Sequence, residues 1–174
     1  TNPVVSLPDA DRVRRALQRC ELVVVSDCVA DTDTTRLAHV LLPAAAWGEK
    51  SGTVTNSDRH ISRQRAFLPP AGAAQPDWWI ISEVARRMGF GAQFDYSSAA
   101  QIFAEHARLS GVGNHGTRAF DISELAAMEP AAYDALAPVQ WPVRARAPRG
   151  TPRLFTDQRF SFRDGRARLI ATTP

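Results

Sequence analysis

The sequence predicts an α/β fold: a three-layer, mostly parallel sheet with helices on both faces, Rossmann-like, followed by an irregular C-terminal extension. Three observations carry this expectation. The apolar run Leu22 to Val25 ends in the polar pair Ser26-Asp27, as a buried parallel strand does when it delivers polar groups to a ligand at its carboxyl end. Helix-period and strand-period segments alternate with short links through the first half of the chain. From Ala137 onward that periodicity gives way to proline and arginine. The boundary is placed there, with residues 1–137 as the α/β domain and 138–174 as a Pro/Arg-rich linker with short extended segments.

Ser6-Leu7-Pro8-Asp9 has the spacing of a capping box, and Val13, Ala16 and Leu17 then mark one face of a first helix to about Arg19. The strand follows near Glu21 to Ser26. Thr32 to His39 reads as a second, short helix, and Val40 to Leu42 as a second strand stopped by Pro43. Trp47 to Thr53 is a loop with two glycines, and Arg59 to Phe67 alternates as an exposed edge or hairpin would. Pro76 opens the clearest helix and Gly89 closes it. Trp78, Ile81, Ala85 and Met88 form its inward stripe, with Ser82, Glu83, Arg86 and Arg87 outward. Ala99 to Leu109 is predicted to be helical, with Ile102, Phe103, His106 and Leu109 on one side. Ile122 to Met128 and Ala131 to Leu136 are shorter helices. Arg153 to Asp157 and Ala167 to Thr172 read as extended pieces around the turn Arg163-Asp164-Gly165.

With 174 residues the chain is long enough for a core of its own. Its net charge of +3 is spread over scattered arginines, which suits solubility better than a nucleic-acid surface. The denser cluster Arg144, Arg146, Arg149 and Arg153 is read as a solvated linker, with nucleic-acid binding as the alternative. An extended strand between Cys20 and Cys28 separates them by roughly 25 Å, too far for a disulfide. No cysteine or histidine spacing fits zinc, an iron-sulfur cluster or a thiolate-bound metal. No apolar run approaches a membrane span and no signal peptide is present, which gives a cytoplasmic expectation. The opening Thr1-Asn2-Pro3 lacks an initiator methionine and suggests an excised piece.

No catalytic constellation emerges. There is no GxSxG, Walker loop or GxGxxG, and the four histidines, His39, His60, His106 and His115, have no partner spacing. His106 is expected to be a hydrogen-bonded core residue and His115 an exposed loop residue. Binding groups are better represented. Asp27 can accept the paired N–H donors of a guanine edge with both carboxylate oxygens, or can cap the turn that follows it. Ser26 stands beside it. Lys50, the sole lysine, is a point charge for a phosphate or a pterin oxygen, or an ordinary surface lysine. Asp77 sits where the helix dipole stabilises a carboxylate with or without a ligand, and Asn2 offers an amide near the chain start.

Seven ordered segments are similar to one family: Thr1-Asn2-Pro3, Val25-Ser26-Asp27, Asp33-Thr34-Thr35, Leu41-Leu42-Pro43-Ala44-Ala45, Trp47-Gly48-Glu49-Lys50, Gly52-Thr53-Val54-Thr55-Asn56 and Pro76-Asp77-Trp78-Trp79. Together they resemble the third domain of the molybdopterin oxidoreductases of the dimethyl sulfoxide reductase type, over almost the whole chain. Ile102-Phe103-Ala104-Glu105-His106 and Ala137-Pro138-Val139-Gln140-Trp141-Pro142-Val143 are more similar to assimilatory nitrate reductases than to formate dehydrogenases.

The resemblance implies a parent that holds molybdenum on a bis-molybdopterin guanine dinucleotide. Such a parent reduces nitrate to nitrite by oxygen-atom transfer, with electrons arriving through an iron-sulfur cluster outside this segment. In related nitrate reductases the positions matching Asn2, Ser26, Asp27, Lys50 and Asp77 contact the dinucleotide, and those five are carried over as cofactor-binding residues. No catalytic or metal-ligating residue is carried over, and Cys20 and Cys28 match none of the family's ligands. The partners implied are the remaining domains of the parent and nitrate. The segment alone is expected to be inactive and to hold no cofactor. The alternatives are the same domain of a formate dehydrogenase or another molybdopterin oxidoreductase, and a stand-alone nucleotide- or partner-binding module.

Overall fold

The structure, a computed structural model, describes residues 2–145 and 147–172; Thr1 and Arg146, both named above, lie outside them. The chain is mixed α/β. It divides into two compact units, residues 1–51 with 65–96 and residues 52–64 with 97–174.

In the first unit a short helix α1, Pro3–Ser6, carries proline at its start, where no N–H is needed. Ser6 ends that turn and its hydroxyl donates to the Asn2 carbonyl at 3.0 Å. It is therefore unavailable as the expected cap. Asp9 caps α2, Ala10–Gln18, instead, accepting from the Arg12 amide at 3.2 Å.

Strand β1, Val24–Asp27, pairs in parallel with β2, Val40–Pro43, in a register that sets Val24 against Val40 and Asp27 against Pro43. Between them the expected helix over 32–39 shrinks to a 3-10 turn, Thr35–Leu37. Thr35 donates its amide to the Thr32 hydroxyl and its hydroxyl to the Thr32 carbonyl, each at 3.1 Å, which offers the backbone an alternative to helix. His39 is drawn off as well, its Nδ1 accepting from the Val23 amide at 2.9 Å.

The parallel pairing is as predicted, but the two-sided burial is not. Val23 and Val25 are buried while Leu22 is 64% and Val24 50% exposed. The unit covers only one face of β1, and Val40 and Leu41 of β2 are exposed as well. At the carboxyl end the sheet widens by a bridge: Ala44 lies parallel to Gln75, with the Gln75 amide donating to Pro43 and the Ala45 amide to Gln75.

Helix α3, Asp77–Arg87, follows directly. Its inward residues are Ile80, Ser82 and Ala85, not the predicted stripe, of which only Ala85 is buried. Ile81 and Met88 are 59% and 67% exposed, Trp79 is exposed and Trp78 half-buried. Ser82 can be buried because its hydroxyl donates to the Trp78 carbonyl at 2.8 Å.

In the second unit β3, Gly52–Thr55, and β4, His60–Gln64, form an antiparallel hairpin. Strand β5, Val139–Gln140, pairs with the far side of β4. The alternating segment is thus central in the order β3-β4-β5, not an edge. Its second partner comes from so far along the chain that no local pattern announces it.

Helices α4, Ala99–Gly111, and α5, Pro130–Asp134, flank a 3-10 turn at Ser123–Leu125. The core joins Ile61, Phe103, Ala107, Ile122, Tyr133, Val139 and Val143. On α4 the buried residues are Phe103, Ala107 and Ser110. His106 is exposed, its ring 5.4 Å from that of Phe120, which corrects the expectation of a core histidine.

Past residue 137 the chain contributes Val139 and Val143 to this core. It is pinned where the Thr151 amide donates to Gln140. Gly150, at φ +92, has no room for a side chain, since a Cβ would lie 2.3 Å from the Gln140 carbonyl oxygen. The predicted extended pieces 153–157 and 167–172 form no strand.

Candidate functional site

The carboxyl edge of the parallel sheet carries Asp27 and leads into the start of α3. Asp27 ends β1, Ala44 continues β2, and Gln75 lies beside it, two residues before the start of α3. In open α/β sheets this edge is where ligands sit, because loops and helix starts converge there.

Asp27 Oδ1 accepts the Val29 amide at 3.0 Å, closing a local turn. Its Oδ2 has no partner among the described residues. One oxygen therefore does the capping and the other stays open. Ser26, on the opposite face of the strand, is exposed with an uncommitted hydroxyl among those residues.

Lys50 leaves the 3-10 turn Trp47–Glu49, which is tightened by the Glu49 carboxylate accepting from the Ala46 amide at 2.8 Å. Its Nζ lies 2.6 Å from Oδ2 of Asp77, the first residue of α3. These two predicted residues are thus brought into direct contact. Their side chains are 30% and 50% exposed, so the pair contributes no more than about 1 kcal/mol and can open cheaply toward a ligand.

Asn2 precedes α1 and is half-buried. Its carbonyl accepts the Val5 and Ser6 amides at 3.0 Å each. Its side-chain Oδ1 accepts from the Thr34 hydroxyl at 2.5 Å. Thr34 was legible only as part of a motif, not as a group holding Asn2, because the bond spans the length of α1, α2 and β1.

Elsewhere the polar clusters are local. Arg36 grips Asp31 with two bonds, Nε to Oδ1 at 2.6 Å and a terminal nitrogen to Oδ2 at 2.9 Å, and holds the Asp31 carboxyl below its ordinary range. The His60 ring at 2.9 Å does the same for Asp58. In the second unit a cavity of about 820 Å³ is lined by Arg118, Arg144, Arg153, Arg159 and Arg163 with Asp157 among them, and by none of the five predicted residues. Among the described residues no three His, Cys, Asp or Glu side chains converge on a metal position, and no helix is long and apolar enough to cross a membrane. Cys20 and Cys28 are free and exposed.

The family model described as Molybdopterin oxidoreductase matches residues 1–87, the segment that builds this edge. The chain belongs to the molybdopterin oxidoreductases. A nitrate reductase of Klebsiella oxytoca is 54% identical over 100% of the chain and 20% of its own length. One from Shewanella frigidimarina is 46% identical over 98% of the chain and 18% of its own length. An F420-dependent formate dehydrogenase 2 subunit alpha of Methanococcus maripaludis is 36% identical over 90% of the chain and 21% of its own length.

Acetylene hydratase from Pelobacter acetylenicus shares the fold, with a TM-score of 0.63 at 20% identity over 95% of the chain and 20% of that structure. The chain spans about a fifth of the length of the curated relatives it matches. Family membership implies a molybdenum–pterin cofactor in the parent molybdopterin oxidoreductase.

Proposed function

We propose that this chain is the cofactor-binding part of the third domain of a molybdenum nitrate reductase, and that Asn2, Ser26, Asp27, Lys50 and Asp77 hold a molybdopterin guanine dinucleotide. What supports the reading is the open oxygen of Asp27 at the carboxyl end of β1, together with the Lys50–Asp77 pair at the start of α3 in the same unit.

The donor set suits the ligand. A carboxylate oxygen accepts guanine N–H donors, the lysine ammonium meets phosphate, and the amide of Asn2 supplies a further bond. The cofactor itself supplies the redox chemistry; these residues bind and orient it. Substrate choice follows similarity: 54% identity to a nitrate reductase against 36% to a formate dehydrogenase supports nitrate as the substrate of the parent.

In the same reading residues 1–137 carry the dinucleotide and 138–174 lead toward the C-terminal part of the parent. The apolar outer face of β1 and β2 is covered there by further layers of a larger, three-layer sheet. The iron-sulfur cluster and the molybdenum ligands belong to the remaining domains, the parent is cytoplasmic, and the 174-residue chain alone is inactive.

The test is Asp27→Asn in the full-length protein. It keeps the shape and replaces one acceptor by a donor that faces the guanine donors. Loss of a bond to a charged acceptor corresponds to roughly tenfold to hundredfold weaker binding. Molybdenum and releasable guanine nucleotide per protein should fall together, with nitrate reduction falling in proportion. Full cofactor content in Asp27→Asn would leave Asp27 as a turn cap only. Formate oxidation without nitrate reduction by the full-length protein would favour the formate dehydrogenase reading.

A further inference from the structure

The side-chain amide of Asn2 is held from one side only, and the chemistry of its partner decides which end is held. Thr34 is 3% exposed. Its Oγ1 accepts the Val4 amide at 3.1 Å, so the single hydroxyl hydrogen remains for Asn2. The 2.5 Å separation from the Asn2 side chain belongs to the O–H···O range and is short for N–H···O. Oδ1 therefore faces Thr34, and Nδ2, with both hydrogens, is left without a partner among the described residues on a half-buried side chain.

Thr34 is itself fixed. Its carbonyl accepts the Leu37 amide at 3.0 Å, and the turn it belongs to is braced by the two bonds between Arg36 and Asp31.

We infer that Thr34 is a positioning residue that sets Asn2 as a hydrogen-bond donor, so that the group Asn2 recognises is an oxygen acceptor of the ligand. In a molybdopterin guanine dinucleotide such oxygens are the charged phosphates and the neutral guanine and pterin carbonyls and ribose hydroxyls. The guanine N–H and amine edge is left to the carboxylate of Asp27. The inference rests on the reading of Asn2 as a cofactor contact, and it adds a buried residue to that site together with the polarity of one contact.

The test uses the full-length holoprotein, with molybdenum and releasable guanine nucleotide per protein as readouts. Thr34→Ser keeps the hydroxyl and should retain the cofactor. Thr34→Val removes it at similar volume and should lower occupancy severalfold. Combined with Asn2→Ala it should lower occupancy no further than Asn2→Ala does, because both act through one bond. Asn2→Asp keeps the acceptor for Thr34 but replaces the donor end with an acceptor, and should lower occupancy about tenfold. Relief of that loss by added salt would identify a phosphate oxygen, and indifference to salt a neutral acceptor such as the guanine carbonyl.

Full occupancy in Asn2→Asp overturns the inference even where Thr34→Val fails to fold. So does full occupancy in Thr34→Val, or losses from the two positions that simply multiply. Full occupancy in Asn2→Ala would remove the underlying reading of Asn2 itself, whereas loss in Asn2→Ala with none in Thr34→Val would remove only the positioning role.

Discussion

Tyr133 is 3% exposed, and among the described residues its hydroxyl has no hydrogen-bond partner and neither has the buried Nε of Arg63, from β4. The guanidinium instead stacks over the Tyr133 ring at 4.2 Å and reaches Asp134 at 2.8 Å. The ring thus supplies packing and a cation–π contact while the hydroxyl supplies nothing visible. A buried unpaired hydroxyl costs about 1 to 3 kcal/mol, so Tyr133→Phe should leave the melting temperature unchanged or raise it. A clear fall would mean that the hydroxyl holds a bound water.

Burial also pushes the Tyr133 hydroxyl above its ordinary pKa of about 10, with the Arg63 charge offsetting part of that rise. The fold favours the protonated form. Its contribution is therefore complete below about pH 10 and is lost as pH rises through the folded-state value. In denaturant titrations the stability difference between Tyr133→Phe and wild type should stay constant around neutral pH and widen only at the alkaline end.

Helix α3 shows what a sequence can and cannot reveal about an element. Its limits were legible, because Pro76 sets the start and Gly89, at φ +92, the stop. Its inward face was not. Trp78, Trp79, Ile80, Ile81, Val84, Ala85 and Met88 put apolar side chains almost all round, so two stripes compete and the periodicity does not choose between them. Ile80→Ala should cost about 2 to 5 kcal/mol in the 174-residue chain, and Ile81→Ala no more than about 0.5. Chemical denaturation of the two variants side by side checks the assignment, and reversal of their order would restore the predicted stripe.

The same limit applied to β1, whose parallel pairing was legible while its burial was not, since a run of valines does not say how many faces its neighbours cover. It applied as well to the site. The five residues came from ordered motifs, but the Lys50–Asp77 contact and the Thr34–Asn2 bond join positions about thirty residues apart and leave no local trace.

For the whole molecule, the apolar residues left outside are too many and too well ordered for a surface. In the first unit Leu22, Val24, Ile81, Val84 and Met88 are between 46% and 67% exposed, and in the second Leu169 is 97% exposed. In the first unit Leu22 and Val24 recur two apart at β1, and Ile81, Val84 and Met88 recur at helical spacing on α3, a pattern that suits a contact face. The chain covers about a fifth of the length of its relatives, and in the proposed reading the remaining domains of the parent cover these segments.

A charge placed on such a face should have opposite consequences in the two settings. In the 174-residue chain Ile81→Lys with Met88→Lys enters water, so the fold should keep its stability to within about 1 kcal/mol. Binding of a hydrophobic dye and concentration-dependent association should both decrease. In the full-length protein the same substitutions would bury two unpaired ammonium groups, at several kcal/mol each, and soluble yield and melting temperature should drop. Light scattering and thermal melts of both forms decide the matter. If the double variant is equally benign in both, the outer face of α3 meets solvent in the parent and the apolar stripe there is not an interdomain contact.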